Sequence, residues 1–256
     1  MPGSKPARTR PDVPDAMYIT GMRHTWGWKG EQLPPLFLYL SFCWRIGFCA
    51  PMKKRGFPDF QFEQVARYAG AIRIVGVDEV GRGPLAGPVT AAAVWLNPDA
   101  IPDGLNDSKL LTAARRLALA AALLEVADVC IAHASVDEID TLNILRASQL
   151  AMLRAVQGLR IPPDFALIDG NMTPKAMPCR SEAIVKGDMR SLSIAAASIV
   201  AKVARDAIMV DLAQQHPGYG WETNAGYPTA AHRMALINLG ITPYHRRSFK
   251  PVYQML

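Results

Sequence analysis

An α/β domain, with a mixed central sheet flanked by helices, is the fold class that this 256-residue sequence predicts. Three observations carry that expectation. From about residue 71 onward, short apolar runs alternate with longer segments of helical periodicity. Half of the residues are hydrophobic, enough for a sizeable core in one large domain. Three apolar runs lead into acidic residues, two of them next to a glycine, as strands do when they deliver polar groups to one edge of a sheet. No internal repeat or low-complexity tract interrupts the pattern.

Residues 1–57 differ in composition from the rest. They open polar, basic and proline-rich, then run through an apolar stretch from Leu33 to Trp44 that Arg45 interrupts. The stretch is too short to span a bilayer as a helix. It lies too far into the chain, and lacks the small-residue cleavage site, to be a signal peptide. We read this part as an extension, disordered or a mis-assigned start, with translation beginning at or near Met52. Residues 58–256 form the body, which opens with a short amphipathic helix at 61–69.

Within the body, strands are expected at 72–78, 89–96, 129–136, 165–169 and 182–186. Helices are expected at 113–127, 141–158, 193–215 and 229–239. Thr112 and Thr141 stand where helix N-caps belong, and Gly158 and Gly240 where helices stop.

The net charge of +6 invites a nucleic-acid reading until it is located. Residues 1–57 carry nine basic and three acidic residues, whereas residues 58–256 carry 19 of each. The surplus belongs to the N-terminal part, and the body is neutral. The cysteines Cys43, Cys49, Cys130 and Cys179 form no C-x-x-C pair, and the five histidines show no H-E-x-x-H. Reduced, mostly buried thiols and a cytoplasmic protein follow, with neither zinc nor a membrane expected.

The most informative stretch runs from Gly76 to Pro88. It places Asp78 and Glu79 at the end of an apolar run, followed by a loop containing Gly81, Arg82, Gly83 and Gly87. Adjacent carboxylates repel each other unless a cation or a shared proton lies between them. The pair alone also fits a solvated corner. A dinucleotide fingerprint does not fit, because the glycine spacing is wrong and Pro84 and Pro88 obstruct the helix that should open there. Two further runs end in acids, one in Asp169-Gly170 and one in Gly187-Asp188. Each alone reads as a turn or a helix cap. Together, four carboxylates at one sheet edge would be strongly destabilising without divalent metal. Oxygen ligands without Cys or His favour Mg²⁺ or Mn²⁺. Two such ions about 3.5–4 Å apart suit in-line phosphodiester cleavage.

The run Val77-Asp78-Glu79-Val80-Gly81-Arg82-Gly83-Pro84-Leu85-Ala86-Gly87-Pro88-Val89 resembles the signature of type 2 ribonucleases H, in particular bacterial ribonuclease HII. Leu105-Asn106-Asp107-Ser108-Lys109, Leu167-Ile168-Asp169-Gly170 and Lys186-Gly187-Asp188 agree in order and spacing. So do the helix from Ser193 to Asp206, Gly226-Tyr227-Pro228-Thr229 and His245-Arg246-Arg247-Ser248-Phe249. The likeness covers most of the chain, from about Phe57 to Val252.

This resemblance implies a ribonuclease H-like fold and endonucleolytic cleavage of RNA in RNA–DNA hybrids. It also implies incision at single ribonucleotides in duplex DNA, leaving 3′-OH and 5′-phosphate ends. Asp78, Glu79, Asp169 and Asp188 would be the catalytic acids, holding two Mn²⁺ or Mg²⁺ ions. The backbone of Gly81-Arg82-Gly83 would contact the 2′-OH at the RNA–DNA junction, and Arg82 would meet a phosphate. Tyr227 would stack on the sugar there, with Tyr219 as second choice. The family usually has Lys where this chain has Ala225. Arg233, Arg246, Arg247 and Lys250 are candidates for the missing backbone contact, or form a solvated C-terminal face. Asp206 reads as an ion pair with Lys202 rather than a fifth ligand. A monomer acting on hybrids and ribonucleotide-containing duplexes is expected. A hybrid-binding protein without cleavage and a two-metal DNA nuclease on the same fold are the alternatives.

Overall fold

The computed structural model describes residues 57–256; the expectations about a start at Met52 and about the N-terminal extension lie outside them, apart from Phe57. Five strands form one mixed sheet in the order β3-β2-β1-β4-β5. They are β1 Ile74–Val80, β2 Val89–Trp95, β3 Asp128–Ala134, β4 Phe165–Asp169 and β5 Arg180–Ile184. β1 pairs antiparallel with β2, and β2 with β3, while β1–β4 and β4–β5 are parallel. The ribonuclease H-like α/β expectation therefore holds in its central feature, a mixed sheet.

Helices cover both faces. One face of β1 and β2, with Val75, Val77, Val89, Ala91 and Ala93, packs on Ala147, Ala151 and Ala155 of α4, Ile144–Gln157. The other face, with Ala92 and Val94, packs on α2, Ala113–Val126, and on Ala196, Ala197 and Val200 of α5, Leu192–Gln215. Alternation along the strands produces this split. At Gly76 the approach is closest, since a Cβ there would lie 2.0 Å from the Ser193 carbonyl carbon. Glycine lets the first turns of α5 lie directly against β1.

Several boundaries differ from expectation. The helix foreseen at 141–158 is two helices, α3 Val136–Leu142 and α4, separated by Asn143 at φ 69°. Thr141 is not the cap. Its hydroxyl donates to the Asp137 carbonyl inside α3, while a Ser135–Glu138 capping box starts α3 and Asn143 caps α4. β1 continues to Val80, so Asp78 and Glu79 lie within the strand. β5 ends two residues earlier than expected, because Lys186 is left-handed at φ 56° and opens a 3₁₀ turn over Gly187–Met189. Thr112 does cap α2, accepting from the Arg115 N–H. Gly158 and Gly240 do follow helix ends, although only Gly240 has positive φ, at 80°.

The short helix α1, Gln61–Tyr68, is anchored by a buried acid. Glu63 Oε1 accepts from the Ser191 hydroxyl at 2.6 Å and the Ser193 N–H at 2.9 Å, which ties α1 to the start of α5. Beyond α5 come α6 Trp221–Asn224, α7 Ala230–Leu239 and α8 Lys250–Tyr253. They enclose a second small core of Leu85, Met209, Leu212, Tyr219, Trp221 and Leu236. Cys130 and Cys179 are free thiols, half-buried rather than buried. Among the described residues no helix is long and apolar enough to cross a membrane.

Candidate active site

The acids gather where β1 and β4 end side by side. The last registered pair of these parallel strands is Val77 with Ile168, so Asp78 and Asp169 follow as neighbours. Alternation then sends Asp78 toward α5 and Glu79 toward α4. On the α5 side, the Ser198 hydroxyl hydrogen-bonds Asp78. Ser198 is held in turn by Ser108 at 2.8 Å. On the α4 side, Glu79, Arg82, Ser148, Met152, Asp169 and Asn171 line a cleft. Asp188 enters on the 3₁₀ turn after β5, and the Gly187 N–H donates to Asp169 Oδ1 at 2.7 Å. It is not the cap of α5; Ser191 accepts from the Ile194 N–H and fills that role.

The electrostatics are those of an under-compensated acid cluster. Burial holds the Asp78 carboxyl well above the ordinary carboxylate range, and Glu79, Asp169 and Asp188 push it further against the Ser198 hydrogen bond. Glu79 is raised by burial, opposed by Arg82 at 3.2 Å. Asp169 is raised by burial and then by Asp188. Lys109 Nζ lies 3.3 Å from Asp188 Oδ2 and 3.9 Å from Asp107 Oδ1. One acceptor, Glu79 Oε2, is buried with no partner. Among the described residues no three acid, imidazole or thiol groups close on one point as the side chains stand. Arg82 and Lys109 pair with Glu79 and Asp188 at the margins of the cluster. An orphaned carboxylate oxygen amid hard oxygen donors fits a divalent cation.

The loop after β1 is built from beneath by two arginines. Arg246 is wholly buried and donates to the carbonyls of Gly81 (2.6 Å), Pro84 (2.8 Å), Gly87 (2.9 Å), Arg82 (3.1 Å) and Pro88 (3.2 Å). It is thus no candidate for a nucleic-acid backbone contact, unlike Arg233, Arg247 and Lys250, which are exposed. Asp140 of α3 seats it, accepting from the Arg247 and Ser248 N–H groups at 2.9 Å. Arg205, also wholly buried, donates to Pro88, Ala86 and Ala225. Burial, aided by Arg205, lowers the Arg246 guanidinium to about 9. Gly81 has φ 96°, and a Cβ there would meet Arg205 Nε at 2.2 Å. Its glycine is demanded from inside, not by a ligand. A Cβ on Gly83 instead would face the ring of Tyr227, 3.3 Å from Cε1.

Tyr227 is 43% exposed, as a stacking ring must be. Tyr219, the second choice, is buried; its ring stacks on Trp221 and its hydroxyl donates to the Gly240 carbonyl at 2.9 Å. The turn carrying Tyr227 rests on two histidines, His232, which sequence reasoning did not single out, and His245, which it quoted in a matched run without a role. The Tyr227 carbonyl only accepts, so His232 Nδ1, 3.0 Å away, carries the proton. His232 Nε2 then accepts from Trp221 Nε1 and from His245 Nε2, both at 3.1 Å. His245 Nδ1 accepts from the Thr242 N–H at 2.9 Å. Both rings are satisfied only when neutral, and burial with His232 and His216 nearby lowers His245 to about 4. Lys202 does pair with Asp206, at 2.6 Å.

Comparison with known proteins places the chain in a family. Residues 75–252 match the family model described as ribonuclease HII. The ribonuclease HII of Cereibacter sphaeroides strain ATCC 17025 is 70% identical over 199 residues, covering 78% of this chain and 94% of that protein. That of Ruegeria pomeroyi is 64% identical, over 85% and 93% of the two chains. The crystal structure of ribonuclease H2 from Pyrococcus horikoshii superposes with a TM-score of 0.61 at 27% identity, covering 72% of this chain and 97% of that one.

Proposed function

Taking as premise that this chain belongs to the ribonuclease HII family, we propose that Asp78, Glu79, Asp169 and Asp188 hold its divalent ions and that Gly81–Gly83 with Tyr227 reads the ribose. The protein is a metal-dependent endoribonuclease acting on the RNA of RNA–DNA hybrids. The finer reading is incision at a single ribonucleotide in duplex DNA. The observation that carries it is the short step, within one loop, from the acids on β1 to Gly83 and the exposed face of Tyr227.

Bound at the four acids, two Mg²⁺ or Mn²⁺ ions supply an activated water and charge stabilisation for a departing 3′ oxygen. The chain's own residues do the rest. Ser198 orients the Asp78 carboxylate, and the Gly187 N–H orients that of Asp169. Backbone amides at Arg82 and Gly83 meet the 2′-OH, the group by which RNA differs from DNA. The half-exposed Arg82 head meets a phosphate, and Arg233, Arg247 and Lys250 track the strand. Every group invoked comes from one chain, so a monomer suffices.

A metal titration on a duplex carrying one ribonucleotide tests substrate, ion and reaction together. Wild-type protein should incise on the 5′ side of that ribonucleotide only when Mg²⁺ or Mn²⁺ is added, and leave an all-DNA duplex whole. Asp169→Asn should remove incision while the circular dichroism spectrum stays the same. Full activity in Asp169→Asn, or cutting of the all-DNA duplex, would sink the assignment.

A further inference from the structure

We propose that Arg205 and Arg246 are positioning residues that hold the glycine loop and the Tyr227 turn at one spacing, and that this spacing is what discriminates ribose from deoxyribose. The proposal rests on the reading above of Gly81–Gly83 and Tyr227 as the ribose contacts. It goes beyond it by assigning the selectivity to two side chains that no nucleic acid can touch.

Both guanidiniums are fully buried, and neither has a carboxylate within ion-pair distance among the described residues. Burying a charge without a counter-ion is unfavourable, so the compensation must come from dipoles. It comes from backbone carbonyls. Between them the two arginines take the carbonyls of Gly81, Arg82, Pro84, Ala86, Gly87 and Pro88, which is nearly the whole loop.

This has a geometric result. The described residues contain no cis peptide, and in a trans peptide the C=O and the following N–H point in opposite directions. With the Gly81 and Arg82 carbonyls turned inward to Arg246, the N–H groups of Arg82 and Gly83 are turned outward. Neither amide has a partner among the described residues. Outward, unpartnered amides beside an acid cluster are the donors a 2′ oxygen needs.

The second jaw is tied to the same device. Arg205 donates to Pro88 and Ala86 in the loop and, through Nη1, to the Ala225 carbonyl at 2.9 Å in the turn that carries Tyr227. The Leu85 N–H closes the bridge by donating to the Gly226 carbonyl at 2.8 Å. Ala225 sits at φ 48° and Gly226 at φ 81°, with a Gly226 Cβ only 2.8 Å from the Ala86 carbonyl oxygen. Loop and turn are therefore in backbone contact, and the separation between Gly83 and the Tyr227 ring is set from beneath. A lysine could keep the charge at either place. It could not span the carbonyls that a planar fork reaches.

The test uses the full chain as wild type, Arg205→Lys and Arg246→Lys. Two duplexes of one sequence, with and without a single ribonucleotide, are titrated with Ca²⁺ replacing Mg²⁺ so that binding is read without turnover. Wild type should prefer the ribonucleotide duplex. Each variant should lose at least about tenfold of its affinity for that duplex while binding the all-DNA duplex as before, so that the preference collapses. Thermal stabilisation by Mg²⁺ should stay at the wild-type value, since the acids are untouched. Parallel weakening on both duplexes, which a merely structural role would produce, overturns the proposal, as does an unchanged preference. A wild type that neither prefers nor cuts the ribonucleotide duplex overturns the underlying reading first, and this proposal with it.

Hydrogen exchange on the wild type keeps the test decisive if a variant does not fold. The Arg82 and Gly83 amides should gain protection with the ribonucleotide duplex and not with the all-DNA one. Equal protection by both, or none, speaks against the proposal.

Discussion

Replacing His245 with asparagine should change how stability responds to acid. In the folded protein His245 Nδ1 accepts from Thr242 and its Nε2 donates to His232, so both nitrogens are used only in the neutral ring. Its folded value of about 4 lies below the ordinary 6.5. A group lowered on folding refuses a proton that the unfolded chain accepts. Its contribution is therefore complete above pH 6.5 and is lost as pH falls toward 4. At about 1.4 kcal/mol per tenfold, that interval corresponds to about 3 kcal/mol.

The raised acids Asp78, Glu79 and Asp169 act with the opposite sign, because the folded state takes up their protons first as pH falls. Only a difference between two proteins isolates the histidine. Urea unfolding of wild type and His245→Asn in metal-free buffer, from pH 7.5 to 4, supplies it. The amide oxygen of the substituted side chain can still accept the Thr242 N–H, so the variant should fold, less stable at neutral pH. The two stability curves should then converge by about 3 kcal/mol toward pH 4. Parallel curves would show that His245 is not held neutral and would refute the network assignment.

Asp78→Asn should make the metal-free protein more stable by about 1 kcal/mol or more, since it removes a buried, repelled charge. The same change should abolish the stabilisation of about 2.7 kcal/mol expected for wild type at Mg²⁺ a hundredfold above its dissociation constant; calorimetry with and without Mg²⁺ reads both. Gly76→Ala should destabilise by about 3 kcal/mol or more, because its Cβ would meet backbone atoms of α5 rather than a flexible side chain. A melting temperature near wild type would contradict the strand–helix contact. Gly81→Ala and Gly83→Ala should separate fold from function. The first, at φ 96° and crowded by Arg205, should lower the melting temperature. The second should leave it within a few degrees yet reduce incision at a ribonucleotide at least about tenfold.

What the sequence made legible follows from where each signal sits. Asp169 was readable because an apolar run declares a strand and its last residue declares an edge; Asp78 and Glu79 were readable because they follow such a run, although β1 continues past them to Val80. Asp188 was readable only as one of a set, since alone it imitates a cap that Ser191 in fact supplies. The break at Asn143 was hidden because the helical pattern on either side is continuous; one residue at positive φ leaves no trace in periodicity. Arg246 was misread for a deeper reason. A basic residue in a C-terminal tail looks solvated, and its partners are carbonyls about 160 residues earlier, which have no side-chain signature. The histidine network was likewise invisible, although His245 stands in a matched run, because Trp221, His232 and His245 meet only after α6 and α7 have folded back.

Helix α5 works as a ruler. Ser198, which hydrogen-bonds Asp78, and Arg205, which underlies the loop after β1, are seven residues apart on one uninterrupted helix. Seven residues make about two turns and about 10 Å of rise, so the two side chains return to the same side of the rod. A helix cannot stretch by fractions of a turn. The offset between the acid cluster and the loop proposed to read the ribose is therefore quantised in helical steps, and one inserted residue between them would throw both out of phase by about 100°.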